Sequence, residues 1–307
     1  MVGRNRVIDV AAHAILILGV LLTLFPVYIA FVASTHPPEN LMGGRFPLLP
    51  GDQLTANYGR VLLEPRTSAG RISAINMMGN SFIMAVGITV GKIFVSFLAA
   101  FAIVYFRFRG RMFFFFLILI TLMLPVEVRI VPTYDVVANV FSPLNTLLRA
   151  IRLDALLGIE FNLRLSLLNT HAGLILPLIA SATATFLFRQ FFQTVPDELV
   201  DAAQLDGASP MQFMTFILLP LSRTNLAALC VILFVYGWNQ YLWPLLVTTQ
   251  QRYQTIVMGI QRMVNAAESQ PLWGETMALA LLALLPPVIV VVALQRLFLK
   301  GLVDTEK

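Results

Sequence analysis

A few residues of this chain carry chemistry, and their apolar setting defines what that chemistry is. Lys92 stands deep in a long apolar run, Glu127 and Arg129 lie near the end of another, and Trp238, Asn239, Gln240 and Trp243 punctuate a third. A charge or amide in such a run is costly to desolvate and marks either a helix contact or a path for a polar solute. Lys92 reads as an attractor for an anion, or as half of an interhelical pair or a snorkelling cation. Glu127 and Arg129 are two residues apart and so do not share a helix face. Arg129 is a candidate for meeting an anion or an external protein, and Glu127 for pairing with another chain or span. Asn239 and Gln240 offer hydrogen bonds to hydroxyls, and the two tryptophans offer flat faces to a small polyol. An aromatic belt with interhelical amide bonds uses the same residues.

Other chemistries lack their parts. The sequence has no H-E-x-x-H and no aspartate pair in an apolar run, so it does not read as an intramembrane enzyme. It has no G-x-x-x-x-G-K-[ST], so no phosphate-binding loop for ATP. Cys230 is the single cysteine, and His13, His36 and His171 are far apart, so neither a disulfide nor a metal site is expected. Basic residues are scattered, which argues against nucleic acid as a partner. A secondary transporter needs its own coupling site and usually an internal repeat, and neither is visible.

The elements that must position these residues follow from composition. The 307-residue chain is 58% apolar and 12% charged, while soluble domains carry about 25% charged residues. Six apolar stretches lie near Val10–Ala33, Ser81–Phe106, Met112–Ile130, Ala172–Phe192, Leu226–Val247 and Thr276–Leu299. Each is long enough to cross roughly 30 Å of hydrocarbon as a helix rising about 1.5 Å per residue. Such runs favour helices over barrel strands, which need only about 10 alternating residues. The expectation is an all-α polytopic bundle, one transmembrane domain over 1–307, with a first span that is retained and not cleaved as a signal.

Basic residues set the expected orientation. Arg4, Arg6, Arg107, Arg109, Arg111, Arg296, Lys300 and Lys307 fall on one side with both termini and the link after the fourth span. That side is read as cytoplasmic. The opposite loops are longer and carry Arg45, Arg60, Arg149 and Arg252 more sparsely. Proline and glycine within the spans (Pro26, Gly87, Gly91, Pro125, Pro177, Pro244, Pro286, Pro287) are tolerable where neighbouring helices satisfy the freed carbonyls. Ala99, Ala100, Ser181 and Ala182 allow close helix contact.

The link at 194–220 is the most informative segment. Thr194 and Asp197 fit a capping box with Pro196 in the first turn, and Asp197 and Glu198 suit the positive end of a helix dipole. Leu199, Ala202 and Ala203 recur at helical spacing. Gly207 stands where a helix end wants a left-handed residue. Ser209, Pro210 and Gln212 start a second helix with its own capping box, and Pro220 ends or kinks it. The product is a cytoplasmic helix–turn–helix elbow, either a plain connector or a docking knob.

These residues resemble a known loop. Asp201-Ala202-Ala203, three residues, Gly207, nine residues, Ile217, one residue, Leu219-Pro220 is similar to the EAA loop of ATP-binding-cassette importer permeases. Asp201 stands where that family usually has glutamate, keeping the carboxylate and losing one methylene. The run from Tyr236 to Pro244 resembles the fifth span of carbohydrate-type permeases. Leu124-Pro125-Val126-Glu127-Val128-Arg129 and the tail from Lys300 to Lys307 resemble permeases of sn-glycerol-3-phosphate importers. The likeness covers most of the chain and is weakest at Phe141–Asn169.

The resemblance implies six spans with both termini cytoplasmic, in a bacterial inner membrane. It implies a loop seated in a cleft of the ATPase subunit through Asp201, Ala202, Ala203, Gly207, Ile217, Leu219 and Pro220. It implies a second permease, two copies of an ATPase that bind ATP and magnesium, and a periplasmic binding protein, with no cofactor or catalysis in this chain. The implied substrate is sn-glycerol 3-phosphate; an oligosaccharide or a glycerophosphodiester is the alternative. In the outer insertion, Leu144, Leu147, Leu148 and Ile151 recur at helical spacing with Arg149 and Arg152 between them. That is the pattern of a helix lying on a surface, either the membrane or a docked binding protein.

Overall fold

The computed structural model describes residues 6–42, 46–64, 72–124, 126–151, 162–266 and 272–304. Arg4, Arg45, Pro125, Arg152 and the last three residues of the tail lie outside the described residues, as do the side chains of Arg6, Glu127 and 298–304. Among the described residues every regular element is helical.

In chain order these are α1 (Arg6–Ser34), α2 (Pro38–Met42), α3 (Leu54–Leu63), α4 (Ala74–Tyr105), α5 (Arg111–Met123), α6 (Val126–Ala138) and α7 (Ser142–Ala150). They continue as α8 (His171–Ile175, tightened to Leu178), α9 (Ala182–Phe192), α10 (Asp197–Leu205) and α11 (Pro210–Leu221). The last are α12 (Arg223–Trp238), α13 (Leu242–Val247), α14 (Ile256–Ala266) and α15 (Trp273–Asp304).

Among the described residues, three helices are long and apolar enough to cross a membrane: Ile8–Ser34, Ala74–Tyr105 and Trp273–Leu297. α8 with α9, and α11 with α12, are bent pairs that reach that length together, at 48° and 75°. The first bend has a local cause. The Ser181 hydroxyl accepts from the Ala184 N–H at 3.3 Å, so the chain leaves one helix after Leu178 and starts another at Ala182.

The expected third span, Met112–Ile130, is not one helix. α5 ends at Met123 and Leu124 is extended (φ −80°, ψ 119°) before α6 begins at Val126. Leu124 precedes a proline, whose ring pushes the preceding residue out of the helical region. The expected fifth span is likewise interrupted after Trp238, and α13 resumes at Leu242.

The structure divides into two compact units. The first comprises Met1–Met78 and Ile256–Pro286. Its ordered centre is the chain leaving α1. Asn57 of α3 donates to the carbonyls of Ser34 and His36 at 2.9 and 3.1 Å. The Gly51 N–H donates to the Thr35 hydroxyl at 2.7 Å. Arg60 of α3 meets Glu275 of α15 at 3.4 Å. By contrast, α1 leaves Ile15, Leu18 and Leu22 more than two-thirds exposed (71%, 70% and 74%). Such a face belongs in hydrocarbon or against another chain.

The second unit comprises Gly79–Thr255 and Pro287–Lys307. Its largest cluster joins Phe97, Ala100 and Phe101 of α4, Phe188 and Phe192 of α9, and Leu229 and Leu233 of α12. Phe97 packs edge-on against both Phe188 and Phe192, with centroids 5.2 and 5.0 Å apart. A smaller cluster gathers Met84, Ile88, Val137, Leu174, Trp243 and Val247. Asn169 adopts a left-handed turn (φ 56°), and its side-chain oxygen accepts from the Thr249 and Gln250 N–H groups at 2.7 and 2.8 Å. That tie fixes the segment following α13 within the unit.

α7 inverts the usual sidedness of a packed helix. Leu144, Leu147 and Ile151 are exposed, while Asn145 is buried and hydrogen-bonds the Leu163 carbonyl at 2.9 Å. The apolar stripe expected from the sequence is therefore present and faces outward.

Candidate functional site

The elbow forms from local chemistry. α10 ends in a paired motif: the Gly207 N–H donates to the Gln204 carbonyl at 3.0 Å, and the Ala208 N–H to the Ala203 carbonyl at 2.9 Å. This geometry needs a left-handed residue between them, and Gly207 has φ 74°. α11 then starts with a complete capping box. The Ser209 N–H donates to Gln212 Oε1 at 2.7 Å, and the Gln212 N–H to Ser209 Oγ at 3.3 Å.

One local expectation needs correction. Thr194 does not cap α10; its hydroxyl donates to the Phe191 carbonyl at 2.7 Å, closing the end of α9, and Pro196 occupies the cap position. Ala203 is buried and Val200 packs beside it, three residues apart, while Leu199 and Ala202 are exposed.

α11 widens into a π-helix over Phe213–Leu218. Pro220 has no N–H for the Phe216 carbonyl and its ring crowds that position, so a looser turn upstream accommodates it.

The seven residues of the loop motif divide by face. Ala203 joins Phe213, Met214 and Leu218 in the same buried cluster as Phe97, Phe188 and Phe192. Asp201, Ala202, Gly207 and Leu219 are exposed, and Ile217 and Pro220 are half-buried. Outside, Asp206, Gly207, Ala208, Gln212, Phe213, Phe216 and Ile217 line a concavity of about 270 Å³. Leu205, Met211 and Phe216 are 89%, 59% and 76% exposed. The elbow thus offers water an apolar surface with carboxylates close by, while its inner face is continuous with the helix core. Exposed apolar surface of this kind is a candidate docking surface.

The second locus lies where α4 and α12 approach. A Cβ on Gly237 would stand 2.9 Å from the Ala85 Cα, so only glycine permits this backbone distance. Side chains lean toward the N-terminus of their helix, which lets Tyr236 reach Lys92, seven residues beyond Ala85. The Lys92 ammonium lies 3.8 Å from the Tyr236 ring centroid. Lys92 is 7% exposed, and no carboxylate pairs with it among the described residues. A cation–π contact contributes about 1–2 kcal/mol. Burying an unpaired ammonium costs several kcal/mol by comparison, so the ring alone does not compensate it.

Arg129 on α6 is exposed, and its charge acts on both Lys92 and Tyr236. Gln240 donates to the Tyr236 carbonyl at 3.2 Å. The structure therefore sets Lys92 on the ring of Tyr236 and Gln240 on its carbonyl, and Tyr236 is a residue that sequence reasoning quoted in a motif but did not select. No spacing rule links positions 92 and 236.

The remaining candidates sit apart. Trp243 is buried and donates to the Gly173 carbonyl at 3.2 Å. Trp238 is 2% exposed and stacks on Phe234 with centroids 5.8 Å apart. Asn239, at the end of α12, is exposed. Among the described residues no group of histidine, cysteine, aspartate or glutamate is arranged to hold a metal ion.

The chain is 49% identical over 307 residues to the sn-glycerol-3-phosphate transport system permease protein UgpE of Brucella melitensis, covering all of both chains. It is 52% identical over 309 residues to the protein of that name from Salmonella typhi, again covering all of both. Its fold is similar to the crystal structure of a bacterial ABC transporter involved in the import of the acidic polysaccharide alginate. That match has a TM-score of 0.67 and 20% identity over 96% of this chain and 98% of the other. Residues 92–303 match the family described as binding-protein-dependent transport system inner membrane component, from Lys92 through the elbow to the end of α15, and the chain belongs to that family.

Proposed function

We propose that this chain is one of two permease subunits of an ATP-driven importer for sn-glycerol 3-phosphate. The observation that carries the reading is identity of 49% and 52% along the whole chain to permeases named for that substrate. A periplasmic binding protein delivers the cargo. Two copies of a partner ATPase hold ATP and magnesium, and this chain supplies no catalytic group. Both termini, the basic link at Arg107, Arg109 and Arg111, and the elbow face the cytoplasm.

The elbow supports a mechanical role. Asp201, Ala202, Leu205 and Phe216 meet the ATPase from outside. Ala203, Phe213 and Leu218 pass displacement inward to α4, α9 and α12, whose side chains share their cluster. Packed cores do not deform continuously, so closure of the ATPases moves the elbow and these helices together and switches access. Asn239 and Gln240, at the break between α12 and α13, meet cargo hydroxyls in this reading.

The test is import by the purified importer in vesicles, with labelled sn-glycerol 3-phosphate outside and ATP on the ATPase face. Uptake requiring ATP, the binding protein and this chain supports the proposal. ATP-dependent uptake of an oligosaccharide or a glycerophosphodiester, with none of sn-glycerol 3-phosphate, reassigns the substrate. Uptake driven by an ion gradient without ATP overturns the class.

A further inference from the structure

We propose that Lys92, held against the Tyr236 ring, and Arg129 of α6 form the station at which this permease holds the phosphoryl group of its cargo during passage. The proposal rests on the reading of the chain as a permease for a phosphate monoester, and names where on this subunit that monoester is held.

Three observations carry it. Lys92 is buried with an aromatic face beside it and no described carboxylate paired to it. A second cation, Arg129, comes from a different helix and acts on the same two residues. The two like charges repel each other, and a phosphoryl dianion relieves that repulsion while satisfying the ammonium. The niche is also built on fixed backbone, because α12 meets α4 at Gly237 and Ala85 with no room for a side chain between them. Arg129 is exposed and Lys92 buried, so an anion meets the outer cation first and the inner one second. Cation–π contact leaves Lys92 held in place but able to accept an anion and release it, as passage requires.

The experiment uses the complete importer in vesicles, with the binding protein saturated by labelled sn-glycerol 3-phosphate. Lys92→Met keeps side-chain length and removes the charge. We expect its maximal uptake rate to fall about tenfold, the loss of one charge-assisted contact. Half-saturation, set by the binding protein, stays within about twofold because that step precedes the permease. Lys92→Arg restores most of the rate, and Arg129→Gln lowers it in the same direction. A Lys92→Met importer that assembles and transports at the wild-type rate overturns the station. If Lys92→Met does not assemble, Arg129→Gln and Tyr236→Leu take its place, and wild-type rates in both overturn the proposal equally.

Repeating the series in vesicles with and without anionic lipid separates cargo phosphate from lipid headgroups. A Lys92→Met defect that disappears in net-neutral lipid assigns the site to lipid and overturns the cargo role. A wild-type importer that fails to move sn-glycerol 3-phosphate refutes the substrate reading instead, a result visible before any variant is made.

Discussion

The Ala208 N–H donates to the Ala203 carbonyl at 2.9 Å, reaching across Gly207 at φ 74°. This single bond ties the outward turn of the elbow to the residue of α10 that is buried in the helix core. It joins the two short helices, which the proposed mechanism uses as one lever.

Gly207 is therefore expected to be the most sensitive residue of the elbow for a conformational reason. A Cβ there would meet nothing within 4 Å, so substitution costs strain and not collision. An L-residue in this conformation costs about 1–2 kcal/mol, and more when β-branched. Gly207→Val should impair substrate-stimulated ATP hydrolysis and uptake together, Gly207→Ala less, and Gly207→Asn least. Equal activity of the valine and asparagine variants in stable complexes would show that the left-handed turn is not needed.

Ser209→Ala removes half of a capping box and is expected to cost about 1 kcal/mol of local stability. The effect should appear as faster hydrogen exchange at the Gln212 amide, with exchange in α4 unchanged. Unchanged protection at Gln212 would mean that the box contributes nothing in the assembled protein.

Asp201 and Leu205 probe the outer face. Asp201→Glu keeps the carboxylate and should retain ATPase binding, whereas Asp201→Lys and Leu205→Asp should lower recovery of the ATPase in pull-down by several-fold, a loss of about 1 kcal/mol or more. Full recovery with both disruptive variants would argue that the partner docks elsewhere.

Gly237→Val tests the helix approach that sets Tyr236 beside Lys92. The added carbon would stand 2.9 Å from the Ala85 Cα, and overpacking of this kind costs roughly 1–3 kcal/mol. A lower unfolding temperature of the purified importer is expected. A combined Ala85→Gly change should not recover it, because the collision is with the Ala85 Cα, which glycine keeps, while the Ala85 Cβ lies at an ordinary contact distance of 3.5 Å.

The sequence made the elbow legible because caps are local. Ser209, Pro210 and Gln212 state a helix start within four residues, and Gly207 states a helix stop by itself. Thr194 misled for the same local reason: a threonine hydroxyl serves the end of the preceding helix as readily as the start of the next. Ser181 reads in the sequence as a small packing residue, yet it caps α9 where the chain bends. The break at Leu124 was hidden by uniform hydropathy, although the following proline signalled it. The pairing of Lys92 with Tyr236 is a tertiary fact, created by Gly237 against Ala85, and no periodicity within either helix encodes it.

The central claim is that this chain carries sn-glycerol 3-phosphate across the membrane under the drive of a partner ATPase acting on the elbow. The measurement that tests it most directly is uptake of labelled sn-glycerol 3-phosphate by cells lacking this chain and any other carrier for that substrate, with the neighbouring importer components intact. The account predicts that uptake is absent, is restored by the wild-type chain, and is not restored by Gly207→Val present at equal abundance. Uptake unaffected by loss of the chain would contradict the substrate, and full restoration by Gly207→Val would contradict the lever.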